Sequence, residues 1–249
     1  MIMRKLIFLA CFLMAGPVFA DFVGLRVSGG MFDYEASGTL RDSANPADQI
    51  DVKSTLGIQD DTEFLGYAYI EHPVPALPNI RLGTTSLKLA GTGNTGGGFT
   101  YNGTVFPGAQ SVTSSADLSH TEIGLYYEII DIGFDLDLGL NVKFFDGSIS
   151  LTSGGASTTD TFDETVPMLY AGINIPLAGG FSLTGDISTL AVNDSEITDY
   201  FVRLRYVTDF MLGAELGYRS FTLDFEDTDA NEYIDVEVSG PYLAVHFVF

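Results

Sequence analysis

The chain has 249 residues, of which 33 are acidic and 11 are basic, so its formal net charge at pH 7 is −22. A surface of this sign excludes nucleic acid as a partner, and a single cysteine excludes a disulfide framework. Hydrophobic residues make up 46% of the sequence, but after the first 20 residues no apolar run reaches about 18 residues, the length of a membrane-spanning helix.

The first 20 residues have the features of a secretory signal peptide. A basic pair, Arg4-Lys5, precedes a short apolar run, and small residues end at Ala20. We therefore predict a signal peptide over residues 1–20 and one domain over residues 21–249. Cleavage would remove Cys11 and two of the 11 basic residues, which leaves 9 basic against 33 acidic residues and a net charge of −24.

Alternating apolar and polar residues, the pattern of β-strands between two environments, run through the rest of the chain. The clearest case is the segment 134–144, in which every second residue from Phe134 to Phe144 is apolar and the other face carries polar residues such as Asp135 and Lys143. With about 3.3 Å per residue and a tilt of about 40°, its apolar face covers roughly 25 Å, the height of the lipid-facing band of an outer-membrane barrel. In chain order, the alternation predicts ten strands near residues 22–34, 62–71, 79–90, 117–130, 133–151, 164–176, 180–190, 199–208, 210–226 and 232–249.

The connections between these strands alternate in length. Short turns follow the second, fourth, sixth and eighth predicted strands, whereas the predicted loops 35–61, 91–116, 152–163, 191–198 and 227–231 are mostly longer and polar. Short turns at one rim and long loops at the other are typical of outer-membrane barrels. We predict an all-β fold, a transmembrane antiparallel up-and-down β-barrel of about ten strands in a bacterial outer membrane. Eight strands remain possible, and a soluble periplasmic sandwich is the alternative fold.

The last strand stays apolar to the end of the chain. Leu243, Val245, Phe247 and Phe249 share one face, whereas a chain terminus in water is usually frayed and polar. We therefore expect outer-membrane lipid and lipopolysaccharide around the barrel, recognition of Phe249 by the barrel-assembly machinery, and a monomer.

At membrane depth, the inward-facing positions carry five basic and six acidic residues. A barrel of eight to ten strands is narrow enough for side chains to fill it, and buried charges persist when they are paired. We predict a largely filled lumen, and a narrow channel with a charged constriction is the alternative. The predicted ion-pair network consists of Arg26, Glu122, Glu128, Asp135, Asp137, Lys143, Asp186, Arg203, Arg205, Glu215 and Arg219.

Toward the long loops the pattern reverses, so that inward positions become apolar and outward positions become acidic, as at Asp33 and Glu35. The reversal is expected where the outer face leaves lipid and meets water. We predict an extracellular collar with an apolar inner wall, which forms either a small core or a site for a small apolar or amphipathic molecule. The predicted wall includes Phe32, Phe145, Ile149, Met168, Phe221, Leu223 and Val236.

Motifs for cofactors and metals are incomplete. Residues 91–96 match G-x-G-x-x-G, but no helix pattern follows, so we interpret them as a flexible loop before a hairpin turn at Asn102-Gly103. A calcium-loop start at Asp227 lacks the required glycine, because Glu232 stands in the sixth place. We predict no cofactor and no metal.

Among three histidines, His120 is the one catalytic candidate, because it lies near the outer rim on the inward face close to Glu122. A buried, hydrogen-bonded histidine explains the same position. We therefore assign no catalytic residue and predict that the protein is not an enzyme, with a rim hydrolase that uses His120 as a third hypothesis.

Four segments together resemble a family of outer-membrane β-barrel proteins of Gram-negative bacteria: EHPVPALPNIRL at 71–82, DLSHTEIGLYYEI at 117–129, GLNVKFFDG at 139–147 and PMLYAG at 167–172. The resemblance implies the barrel fold and its location, and it carries over no catalytic or ligand residue. For function, a structural or surface-interaction barrel with a filled lumen is the first hypothesis, and a narrow channel or a binder of small apolar or amphipathic molecules is the second.

Overall fold

The structure is a computed structural model that describes residues 24–42, 45–74, 76–227 and 231–249. The predicted signal peptide, residues 22 and 23 of the first predicted strand, and residues 228–230 of the last loop lie outside the described residues. Among the residues described, no helix has the length and apolarity to cross a bilayer.

The described residues form fifteen β-strands. In chain order they are β1 (Gly24–Asp42), β2 (Ile50–Asp51), β3 (Asp61–Glu71), β4 (Asn79–Thr85), β5 (Lys88–Asn94), β6 (Gly98–Tyr101), β7 (Thr104–Pro107), β8 (Ser111–Asp117), β9 (His120–Asp131), β10 (Asp135–Ser153), β11 (Ala156–Pro176), β12 (Phe181–Val192), β13 (Ser195–Val207), β14 (Leu212–Asp227) and β15 (Glu232–Val248).

Ten of these strands close into an antiparallel barrel in the order β1, β3, β4, β9, β10, β11, β12, β13, β14 and β15. The last strand returns to the first, with Arg26 of β1 opposite Val248 of β15. The final residue takes part in this closure, because the Phe249 amide donates to the Leu25 carbonyl at 2.7 Å. The predicted antiparallel barrel of ten strands is confirmed, and the eight-stranded alternative is wrong.

The outer surface of the barrel carries an apolar girdle, which we define by the exposed hydrophobic side chains on its outward face. Leu140 is 58% exposed and its neighbour in register, Leu169, is 66% exposed. Aromatic side chains such as Phe64 and Phe144 bound the girdle on the side of the long loops, and Phe181 and Tyr206 bound it on the side of the short turns. Such exposure is stable only against hydrocarbon, and the closed ladder satisfies the backbone there. The protein is therefore an integral barrel of a bacterial outer membrane.

Several strands continue beyond the girdle and are longer than predicted. The predicted loops 152–163 and 191–198 are wrong, because β10 and β11 meet at a turn of Gly154-Gly155, and β12 and β13 meet at Asn193. Both turns use positive φ angles, 55° and 92° at the two glycines and 55° at Asn193, as tight hairpins require. These segments are polar, which is typical of loops, and for this reason they were not predicted as strands. In the structure, the hydrogen-bond ladder continues through them into water.

Two predicted strands, 79–90 and 117–130, are each broken at the level where the girdle ends. β4 ends at Thr85 before β5, and β8 ends at Asp117 before β9. Beyond the break β8 replaces β9 as the partner of β10, with Asp117 opposite Ser148. Alternation continues on both sides of such a break, so the sequence pattern did not reveal it.

The predicted flexible loop at residues 91–96 is also wrong, because residues 91–94 belong to β5. Gly91 bridges to Ile58 and a Cβ at Gly91 would collide with the Gly57 carbonyl, so glycine permits this close approach of two backbones. The hairpin turn at Asn102-Gly103 is present between β6 and β7, with φ angles of 45° and 66°.

Candidate functional site

Ion pairs fill the upper part of the barrel interior. Arg219 donates to both carboxylate oxygens of Asp199, from Nε and Nη2, each at 2.9 Å. Lys143 lies between two carboxylates, with its Nζ atom 2.7 Å from Asp199 Oδ2 and in an ion pair with Glu122. Arg81 Nη1 contacts the other oxygen of Glu122 at 2.5 Å. All five groups are buried, so each charge is stabilised by a partner of opposite sign.

A second set of pairs continues toward the short turns. Arg203 forms ion pairs with Asp186 and, at 3.8 Å, with Glu215. Glu215 also accepts from Arg205 Nε at 3.3 Å, and His246 Nδ1 lies 3.4 Å from the same carboxylate. Arg81 joins the two sets because its Nη2 atom is 3.6 Å from Asp186.

Seven predicted network residues belong to this arrangement: Glu122, Lys143, Asp186, Arg203, Arg205, Glu215 and Arg219. The structure does not bring in Arg26, whose guanidinium lies 4.2 Å from the Tyr69 ring centroid. The predicted pairing of Glu128, Asp135 and Asp137 in the network is wrong. Glu128 is exposed and Asp135 accepts from Asn174 Nδ2 at 2.6 Å, at the end of the barrel that carries the short turns, where water can solvate the carboxylates.

Three network members were missed from the sequence: Arg81, Asp199 and His246. Asp199 could have been found, since it continues the inward parity of Phe201, Arg203 and Arg205. Arg81 lies on a strand whose alternation is ambiguous, so the sequence did not show whether its side chain faces the lumen or the lipid.

His120 lies at the upper end of the network and is buried between aromatic rings, with its ring centroid 4.8 Å from that of Phe145. Its Nδ1 atom is 3.0 Å from the Leu118 carbonyl, so Nδ1 donates there and Nε2 accepts from Lys143 at 3.3 Å. A catalytic histidine must reach its substrate, and this one is 4% exposed. We therefore do not propose a hydrolase that uses His120.

In the described part of the chain, His120, Glu122 and Asp199 are the one group of potential metal ligands close enough to share an ion. The Lys143 ammonium already lies between the two carboxylates. A metal cation would have to displace it, so these residues do not form a metal site.

Above His120 and Phe145 the collar encloses a cavity of about 340 Å³. The lining is mostly apolar, and β10, β11, β13, β14 and β15 each contribute to it. The apolar lining residues are Leu40, Val52, Leu56, Ile58, Leu89, Tyr101, Ala116, Leu118, Phe145, Ile149, Leu151, Phe162, Val166, Ile197, Phe221, Leu223, Ile234, Val236 and Val238.

Five of the predicted wall residues line this cavity: Phe145, Ile149, Phe221, Leu223 and Val236. The other two, Phe32 and Met168, are buried below it and do not line it. The sequence missed the contributions of the segments 35–61 and 91–116, which supply Val52, Leu56, Ile58 and Tyr101, and that of Leu89 at the end of the predicted strand 79–90.

The segment 50–60 closes the cavity wall between β1 and β5. Ile50 pairs with Leu40 of β1, and the Gln59 amide donates to the Ala90 carbonyl of β5 at 3.0 Å. At the start of this segment, hydrogen bonds from Ser54 to Asp51 lower the pKa of the Asp51 carboxyl. The segment is thus a structured part of the wall.

The β6–β7 hairpin lies over the cavity. Its Asn102 amide donates to Asp42 Oδ2 at 2.5 Å, which ties the hairpin tip to the end of β1. Phe99 and Phe106 are buried and stack with ring centroids 5.1 Å apart, and Tyr101 faces the cavity. The hairpin therefore covers the apolar space.

No protein-family model and no curated protein sequence matches this chain. Among solved structures, the outer membrane protease OmpT from Escherichia coli is similar with a TM-score of 0.56 at 8% identity, over 91% of this chain and 97% of that chain. Ail, the attachment invasion locus protein of Yersinia pestis, has a TM-score of 0.37 at 11% identity, over 91% and 98% of the two chains. The Pseudomonas putida toluene transporter TodX has a TM-score of 0.32 at 10% identity, over 92% and 90%. The similarity to OmpT is one of fold, and the other two superpose too loosely to support an argument.

Proposed function

We propose that this outer-membrane barrel binds a small apolar or amphipathic molecule in its extracellular cavity, above a transmembrane lumen that is sealed by ion pairs. The cavity is the observation on which the proposal rests. Its volume of about 340 Å³ lies within the range of small-molecule sites, which is roughly 300–1,000 Å³.

The apolar lining supports a ligand with an apolar body. Side chains such as Leu151, Phe221 and Val238 line the cavity. Without a ligand, this apolar lining would face water. Covering this surface with an apolar ligand is favourable by about 25 cal/mol for each Å² removed from water. The covering hairpin supports the same function, because it shields the space without filling it.

The network beneath the cavity supports binding rather than passage. Arg219, Lys143 and Arg81 are buried inside the barrel with their carboxylate partners. Tyr67 and Tyr170 pack against Arg81, with ring centroids 4.5 and 5.5 Å from its guanidinium carbon. A solute moving from the cavity to the periplasm would have to separate these pairs, which costs several kcal/mol for each buried ion.

Calorimetric titration with hexan-1-ol tests the proposal. The protein is reconstituted in nanodiscs of neutral phosphatidylcholine, and heats from empty nanodiscs are subtracted to remove partitioning. We expect saturable binding to the native chain and its loss in Ala116→Trp, because Ala116 lines the cavity and the larger ring fills it.

The matched control is Ala171→Trp, which places the same ring on the outer face of β11. It should bind hexan-1-ol like the native chain. Because the chain has no tryptophan, the fluorescence of each variant also reports where its ring lies. Heats that never exceed those of empty nanodiscs, or that are unchanged in Ala116→Trp, would overturn the proposal.

A further inference from the structure

We infer that the ligand is an amphipathic cation, with an apolar body in the cavity and a positively charged head group at its mouth. This inference rests on the proposed function and adds the chemical class of the ligand.

All five charged groups that line the cavity remain partly or fully exposed to solvent, so we define them as its mouth, and most of them are acidic. The carboxylates are Asp42, Asp160, Glu164 and Glu232, and the one basic group is Arg41. Four negative charges against one positive charge leave an excess of three negative charges. A cationic head group would lower the repulsion among these carboxylates, whereas an anionic one would raise it.

The carboxylates on β11 face the interior and yet remain in contact with solvent. Asp160 lies opposite Ile149, and Glu164 lies opposite Phe145, whose side chains line the cavity. Residues directly opposite each other in an antiparallel pair point to the same face. Both carboxylates are nevertheless exposed, so a ligand in the cavity can reach them.

The spacing of the mouth carboxylates favours an organic cation over a metal ion. In the part of the chain that the structure describes, no three of them bring their oxygens close enough together to share one ion. Each still contributes to the negative potential at the mouth. Burial and the charges of Asp160, Asp42 and Glu232 raise the pKa of the Tyr101 hydroxyl, which also lines the cavity.

The inference is tested by titrating hexylammonium, hexan-1-ol and hexanoate, which share one alkyl chain and differ in head-group charge, in neutral nanodiscs with EDTA at pH 7. We expect hexylammonium to bind tightest and hexanoate weakest. Asp160→Asn should weaken hexylammonium binding about two- to fivefold, the range of an exposed ion pair, and should leave hexan-1-ol binding unchanged. Glu164→Gln should act in the same direction, and Arg41→Gln should strengthen hexylammonium binding.

The matched control is Asp163→Asn, which removes the same charge from the same strand on its outward face, opposite Asp146. Its binding of hexylammonium should equal that of the native chain. If hexan-1-ol binds and hexylammonium binds no more tightly, the inference on charge fails and the proposed function stands. An equal loss in Asp160→Asn and Asp163→Asn also overturns the inference, because it would reflect general surface charge. If none of the three compounds binds, both proposals fail.

Discussion

Arg219 and Asp199 form a bidentate ion pair inside the barrel, with Nε–Oδ1 and Nη2–Oδ2 distances of 2.9 Å each. Asp199 of β13 also pairs with Lys143, so one carboxylate holds a cation from the adjacent strand β14 and a second cation from β10, three strands away in the barrel. We predict that Arg219→Met destabilises the barrel by about 3–5 kcal/mol, because a buried charge loses its main partner. Urea unfolding in phosphatidylcholine vesicles measures the change.

The control for this prediction is Lys53→Met. Lys53 also pairs with two carboxylates, Glu35 and Asp60, at 3.1 Å each, but all three groups are exposed. Its unfolding midpoint should stay close to that of the native chain, because water already screens such pairs. Equal midpoints for the two variants would argue against a stabilising network.

The same network predicts that the native barrel does not conduct ions. Planar bilayers that contain the purified protein should show no regular current steps beyond those of bilayers treated with detergent alone. The physical reason is that Arg81, Lys143 and Arg219 are fully buried with their partners, so an ion that crosses the barrel would have to separate these pairs. Reproducible ohmic steps would support the narrow-channel alternative instead.

The apolar girdle predicts that the destabilisation caused by an arginine substitution depends strongly on its position along one strand. Leu140→Arg should destabilise the barrel by about 2–4 kcal/mol, the range for a basic side chain facing lipid near the bilayer centre. Ser150→Arg lies ten residues further along β10, on the same outward face but beyond the girdle. It should change the free energy of unfolding by less than about 0.5 kcal/mol. A similar change in both variants would show that lipid does not surround the strand at Leu140.

The covering hairpin predicts local rather than global instability. β6 and β7 pair with each other and not with the barrel ladder, so this unit can open without unfolding the barrel. Phe106→Ala should therefore speed amide hydrogen exchange in residues 98–107, measured by mass spectrometry, and leave the urea midpoint nearly unchanged.

For comparison, Phe201→Ala removes a ring that packs between Tyr67 and Tyr242 inside the barrel, at centroid distances of 5.5 and 5.7 Å. This substitution should lower the free energy of global unfolding by about 3–5 kcal/mol. If Phe106→Ala lowered the global midpoint as much, the hairpin would be part of the cooperative core.

The barrel strands could be predicted from the sequence because lipid on one side and a packed interior on the other impose a strict period of two. That constraint ends where the membrane ends. Beyond Thr85 and before His120 the chain changes strand partner, and such a change leaves alternation intact. The lengths of β10 and β11 were missed for a related reason, since polar residues on both faces are also compatible with a ladder in water.

The residues that line the cavity could be predicted only in part, for the same physical reason. Phe145 and Phe221 follow the inward parity of long strands, so their place on the cavity wall could be predicted. Leu56 reaches the same cavity from irregular backbone, Leu89 from β5 beyond the strand break, and Tyr101 from a separate hairpin. Their positions depend on tertiary contacts, such as the hydrogen bond from the Asn102 amide to Asp42, and no local pattern encodes those contacts.

The most direct measurement is the position of a heavy-atom ligand in a crystal. Crystals grown with 6-bromohexan-1-ol should show an anomalous bromine peak within about 4 Å, the range of apolar contact, of Phe145, Phe221 or Val236, and this peak should be absent in Ala116→Trp. Bromine found only along the outer girdle near Leu140, with none inside the collar, would contradict binding in the extracellular cavity.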